Sequence, residues 1–154
     1  MSTIATDGDA GPALQLGWLE ALLGFHLRMA SAAVARDFAG AMHGLDLTQK
    51  QYAVLELIDA NPGVSQIDLA TTLGTDRATM MAIVDRLDGR QLLTRRRSAS
   101  DGRRQALHLT AAGARLLIVA RDRIAEHEQR FIAALGGRGD HLIAMLREIY
   151  GRPV

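Results

Sequence analysis

The sequence predicts a mainly α-helical fold of six helices with one small β-hairpin. Three observations carry that expectation. Apolar residues recur at spacings of three and four over long stretches at both ends. Two short helical segments meet through the tight turn Leu73-Gly74-Thr75. After Gln91 the pattern switches to extended segments around an Asp-Gly turn.

The first helix is read from Pro12 to Met42. Its stripe is Leu19, Leu22, Leu23, Leu27, Ala30, Val34, Phe38 and Ala41, with Gly44 as the stop. Thr48 and Gln51 have the spacing of a capping box for the second helix. That helix carries Tyr52, Val54, Leu55 and Ile58, and it stops before Asn61-Pro62-Gly63. Ser65 is a natural N-cap for the third helix, with Asp68 in place of the usual Glu of the box. Val64 and Leu69 hold the staple positions. Thr75 is expected to cap the fourth helix, whose inward stripe is Met80, Ile83, Val84 and Leu87 and whose end lies near Gly89.

The hairpin follows. Leu92 to Arg97 and Gln105 to Leu109 read as its strands, joined by Ser98-Ala99-Ser100-Asp101-Gly102. Thr110 caps a long fifth helix through Leu116, Leu117, Ala120, Ile124 and Phe131, which Gly136 and Gly137 break. The sixth holds Leu142, Met145, Leu146 and Ile149. The implied organisation is a flexible arm (1–12), a dimerisation helix (13–45), a winged helix-turn-helix lobe (46–110) and C-terminal dimerisation helices (111–154). Neither terminal segment has enough partners in one chain to bury its stripe, so both are expected to pair with a second copy as a two-fold homodimer.

Composition narrows the function. The 154 residues contain no cysteine, which excludes disulfides, zinc-thiolate sites, iron–sulfur clusters and thiol redox sensing. No run of 18 apolar residues occurs, and Met1 to Gly11 lack the basic-then-apolar order of a signal peptide. The expected setting is the reducing cytoplasm, away from any membrane. The net charge of +1 hides an asymmetry: residues 1–76 carry net −6, residues 77–104 net +5 and residues 105–154 net +2. Cationic charge packed into so short a segment points to an anionic polymer.

A helix in the major groove needs an outward face that reaches base edges. Measured from the inward stripe of the fourth helix, Thr75, Ala78, Ala82 and Asp85 point most directly away, with Arg77, Thr79, Met81 and Arg86 at the flanks. Arg77, in the first turn, suits a bidentate contact to guanine or a phosphate contact. Ala78 and Met81 suit thymine methyl groups. The hairpin adds Arg95, Arg96, Arg97, Arg103 and Arg104 for phosphates or an adjacent minor groove, and Asp101 is placed to orient Arg103 or to start the turn.

These residues give the sequence a resemblance to the MarR family of dimeric winged helix-turn-helix regulators over roughly residues 14–150. It is carried by Ser65-Gln66-Ile67-Asp68-Leu69-Ala70, by Leu73-Gly74-Thr75-Asp76-Arg77-Ala78-Thr79, and by Val84-Asp85-Arg86-Leu87. It continues through Leu92-Leu93-Thr94-Arg95, Ser100-Asp101-Gly102-Arg103-Arg104 and Leu107-His108-Leu109-Thr110-Ala111-Ala112-Gly113. The resemblance implies a double-stranded DNA partner, with Arg103 in the minor groove held by Asp101. Ser65 or Gln66 would touch the backbone, and Ser98 falls in the same wing. It also implies repression of a nearby operon, relieved by a small-molecule effector. Relatives often carry Thr-Arg where this chain has Met81-Ala82, which leaves Arg77 and Arg86 to compensate.

For the effector, the resemblance points to the first, second and fifth helices. Trp18, His26, Arg28, Met29 and His43 are the candidates, and His26 and Arg28 suit either ligand binding or structure. Phe25-His26-Leu27-Arg28 with Gln51-Tyr52-Ala53-Val54-Leu55 looks like members that answer to aromatic acids or their CoA thioesters.

No His-Glu-x-x-His, Gly-x-Ser-x-Gly, phosphate-binding glycine loop or metal-ligand spacing is present, so no enzyme, cofactor or metal is expected. His127 and His141 read as isolated surface residues. The alternatives to a ligand-responsive regulator are a ligand-independent or architectural DNA-binding protein and a winged-helix protein-interaction module.

Overall fold

The structure, a computed structural model, describes residues 14–97 and 105–151. It divides into two units, Met1–Val34 and Ala35–Val154.

A 3-10 helix, Gly17–Ala21, lies in the first unit and precedes α1, Leu23–Ala41, whose residues from Ala35 onward belong to the second unit. The continuous helix expected from Pro12 to Met42 is thus broken. Gly17 has φ +56°, which no right-handed helix passes through, and Leu22 is extended at φ −93° and ψ 110°. Helical turns on both sides keep the three-and-four spacing, so periodicity alone does not reveal the break. The His26 Nε2–H donates to the Glu20 carbonyl at 2.8 Å and satisfies an acceptor beside it. Leu14, Trp18 and Leu23 are exposed in this unit.

The second unit holds α2 (Gln49–Ala60), α3 (Gln66–Thr72), α4 (Arg77–Gly89), α5 (Ala111–Ala134) and α6 (Gly139–Tyr150). Three short strands, β1 (Val64–Ser65), β2 (Leu93–Arg97) and β3 (Gln105–Leu109), form one antiparallel sheet in the order β1-β3-β2. Leu93 pairs with Leu109 and Arg97 with Gln105, as a hairpin requires. The pairing of Val64 with Leu107 was not expected. It makes β3 central, and Gly63 lies over Ala106 and His108. Ala106 and Leu107 are therefore both buried, although neighbours on a strand point to opposite faces. The connecting turn of the hairpin lies outside the described residues.

One aliphatic core organises this unit. Val54, Leu55 and Ile58 of α2 join Leu69 of α3, Met80, Val84 and Leu87 of α4, Leu93 of β2, Leu107 of β3, and Leu117 and Ala120 of α5. The capping box at Thr48 and Gln51 is complete: Thr48 Oγ1 accepts from the Gln51 amide at 3.2 Å, and Gln51 Oε1 accepts from the Thr48 amide at 3.0 Å. Thr110 caps α5, accepting from the Gly113 amide at 2.9 Å while its hydroxyl donates to the Gln91 carbonyl at 2.6 Å.

Two local expectations need correction. The cap of α4 is Asp76 rather than Thr75; Asp76 Oδ1 accepts from the Thr79 amide at 2.8 Å. Thr75 instead donates to the Leu73 carbonyl at 3.3 Å, so its hydroxyl serves the turn. His127 is not a surface residue. It is 1% exposed, between Phe38 and Phe131, with Nδ1 at 2.6 Å from the Asp37 carboxylate, which also takes Arg130 at 2.7 Å. The acid partner sits 90 positions away, so spacing on the helix gives no sign of it. His141 is exposed. Among the described residues, no helix is long and apolar enough to cross a membrane.

Candidate nucleic-acid interface

The helix-turn-helix is built by two side-chain caps and one glycine. Ser65 caps α3, accepting from the Asp68 amide at 3.2 Å, and its hydroxyl donates back to Asp68 Oδ2 at 2.7 Å. The Asp68 carboxylate thus meets the Ser65 hydroxyl rather than closing the box on its backbone amide. Gly74, at φ +58°, makes the reversal after Leu73, and the Thr75 amide donates to the Ala70 carbonyl at 2.9 Å. Asp76 then restarts the chain as α4.

Asp76 also sets the chemistry of the first turn. Its second oxygen accepts from the Thr79 hydroxyl at 2.6 Å. The Thr79 hydroxyl and then the Thr79 amide hold the Asp76 carboxyl below its ordinary value of 3.8. Thr79 is therefore oriented toward its cap, while Arg77 and Ala78 are exposed beside it.

Met80, Val84 and Leu87 anchor α4 in the core, so its outward face is fixed. Arg77, Ala78, Met81, Ala82, Asp85 and Arg86 are exposed there. Thr75, Thr79 and Gln66 are half-buried at the edges. Arg86 reaches Asp46 at 3.5 Å, and both side chains are largely solvated, so the pair does little to restrain it. Arg90 is better held, donating to the Leu45 carbonyl at 2.9 Å and to the Asp46 carbonyl.

Of the predicted wing residues, Arg97 is exposed at the end of β2. Arg95 is different: its guanidinium donates to Asp85 of α4, and Nε lies 3.6 Å from Asp88. Ser98, Asp101, Arg103 and Arg104 lie outside the described residues. The signal for the Arg95 bridge is present in the sequence as two acids three apart on α4, one helical face.

The effector candidates divide between the units. In the first, Trp18 is exposed, His26 is bonded to Glu20, and the Arg28 guanidinium stacks over Phe25 at 5.4 Å. Met29 is exposed. In the second, His43 borders a groove of about 580 Å³ floored by Phe38, Met42 and Leu47 and rimmed by Asp46 and Thr48. Arg123 of α5 donates to the His43 carbonyl at 2.5 Å and fixes this turn. Sequence reading missed a polar cluster on α2 and α5. Arg121 forms a fork to Glu56 at 2.7 and 3.0 Å and reaches Asp59 at 2.7 Å, and Tyr52 donates to Glu56. Arg121 holds the Glu56 carboxyl below its ordinary value, and burial, with the bond to Glu56, pushes the Tyr52 phenol up. Among the described residues, no group of three or more His, Asp or Glu is placed to hold a metal ion.

Known proteins share this arrangement. Residues 43–104 match the model of the MarR family. A Thauera aromatica protein assigned to transcriptional regulation of the hcr operon is 35% identical over 131 residues, covering 83% of this chain and 78% of that one. The solved structure of the transcriptional repressor CouR bound to a 23-mer DNA duplex is 41% identical with a TM-score of 0.86, covering 90% of this chain and 99% of that chain. CouR bound to p-coumaroyl-CoA is 38% identical with a TM-score of 0.81, covering 90% and 98%. With the capped helix-turn-helix, the strand pair behind it and likeness over most of its length, the chain belongs to the MarR family of transcriptional regulators.

Proposed function

We propose that this chain is a cytoplasmic, DNA-binding repressor that works as a homodimer on a pseudo-palindromic operator and is released by an aromatic acid or its CoA thioester. The observation that carries the reading is the two-sided build of α4. Its inner stripe is locked in the core, and it presents Arg77, Ala78 and Met81 outward beside the basic β2–β3 hairpin. Arg77 takes a guanine edge or a phosphate; Ala78, Thr79 and Met81 line the groove. Ser65, Gln66 and Thr75 meet the backbone, and Arg86, Arg97, Ser98, Asp101, Arg103 and Arg104 add the wing and flank contacts. CouR, in complex with a DNA duplex and with p-coumaroyl-CoA, supports both halves of the proposal.

Pairing with a second copy is supported by apolar surface that one chain leaves uncovered. On α6, Ile143, Met145, Ile149 and Tyr150 are exposed, as are Ile118 and Val119 on α5. The groove beside His43 suits the aromatic part of an effector, because its floor is apolar and its rim polar. Trp18, His26, Arg28 and Met29, all on the first unit, are proposed as effector contacts in their own right. Binding would favour a spacing of the two recognition helices that misses successive major grooves, about 34 Å apart.

The test is selection of bound duplexes from a random pool, followed by titration of the selected duplex with and without p-coumaroyl-CoA. Release of a sequence-specific complex by the thioester supports the proposal. A specific complex that ignores thioester and free aromatic acids leaves a ligand-independent regulator. An operator-to-random affinity ratio near one identifies an architectural protein, and no duplex binding a protein-interaction module.

A further inference from the structure

We propose that Asp85 and Asp88 form an acidic clamp that withholds Arg95 from DNA, so that this arginine restrains non-specific binding instead of contributing to it. The inference rests on the DNA-binding reading above. Arg95 lies on β2 with the buried Leu93 two residues before it, and its side chain turns the same way, toward α4. There the guanidinium donates to Asp85, Nε is 3.6 Å from Asp88, and the side chain is 26% exposed. Two carboxylates serve one cation, so the cluster is net negative on a surface that sequence composition marks as cationic. A phosphate could recruit Arg95 only by displacing both acids. The carboxylates are themselves open to solvent, at 54% and 43%, where they repel a backbone that approaches without fitting. A sequence-specific complex offsets that repulsion through base contacts from the first turn of α4, and a non-specific complex has no such offset.

The test compares the wild-type chain with Asp85→Asn/Asp88→Asn, and with that pair combined with Arg95→Gln. The readout is affinity for a fluorescent random-sequence duplex across a salt series. Releasing Arg95 onto a phosphate should steepen the slope of log K against log salt by about 0.9 per chain. Random-duplex affinity should rise several-fold, and the operator-to-random ratio should fall. Adding Arg95→Gln should return the slope to the wild-type value. Should the paired variant lose its cooperative melt, Asp85→Asn alone is expected to move the slope in the same direction. A slope that stays flat or becomes shallower, with the wild type binding DNA, overturns the clamp and leaves the DNA-binding reading standing. A wild type that ignores every duplex overturns both.

Discussion

Replacing Gly113 by alanine would strike the joint between the hairpin and α5. A Cβ built there overlaps the Leu92 carbonyl oxygen and comes within 2.9 Å of the Leu92 carbonyl carbon. These are backbone atoms, so no side chain can swing aside. The same carbonyl accepts from the Thr110 amide at 3.1 Å, and Thr110 caps the helix through the Gly113 amide. Relief of the overlap opens both bonds. Loss of the hydrogen bond costs about 1 kcal/mol, loss of the cap about 1 kcal/mol, and residual strain about 1–3 kcal/mol. Alanine returns about 1 kcal/mol through helix propensity. The expected net loss is about 2–4 kcal/mol, a large share of a small domain's stability. Gly89→Ala is the matched control: it is helical, nothing lies within 4 Å of its Cβ, and it should be neutral or slightly stabilising. Urea unfolding at one protomer concentration, fitted for midpoint and slope, measures both. A Gly113→Ala variant as stable as Gly89→Ala would refute the close approach.

Other perturbations have equally definite expected outcomes. His127→Ala should destabilise by about 2–4 kcal/mol in the same unfolding assay, because it leaves a cavity and takes a partner from Asp37. Asp76→Ala should lower the melting temperature and weaken operator binding together, whereas Asp76→Asn should largely restore the cap. The Asp76 and Glu56 carboxyls are held below 3.8 and 4.5, so the stability they contribute is present above those values and lost as pH falls through the lowered ones. Acid melts should therefore show a decline that Arg121→Gln makes smaller, since its main hydrogen bond to Glu56 is gone. Arg77→Ala should relax base preference at one operator position by about 1–3 kcal/mol if it reads guanine, or weaken all sequences alike if it binds phosphate. Selection profiles separate the two. Arg103→Ala should reduce operator affinity at least about tenfold with an unchanged melt, as loss of one charge-assisted contact implies.

The sequence carried most of the architecture because local rules decided it. Thr48, Ser65 and Thr110 each capped the helix expected of them, since an N-cap needs only its own side chain and an amide three residues on. The stripe Met80, Val84 and Leu87 was legible for the same reason: period alone assigns a face. What stayed hidden depended on distant partners or on backbone choices that period does not encode. His127 is buried because Asp37 on another helix takes its proton-bearing edge. β1 exists because Leu107 supplies a neighbour for Val64, 43 positions away. The break in the first helix turns on the positive φ at Gly17 and the extended backbone at Leu22. At the interface, exposure of Arg77, Ala78 and Met81 followed from the helix period, whereas the bridge from Arg95 to Asp85 needed the strand's placement against α4.

The most direct measurement is a hydroxyl-radical footprint on a duplex selected from the random pool. Two protected windows on one face of the duplex, centred about 10 base pairs or a multiple of that apart, are the expected result. Protection confined to one window, or spread evenly along the duplex, would contradict a paired set of recognition helices.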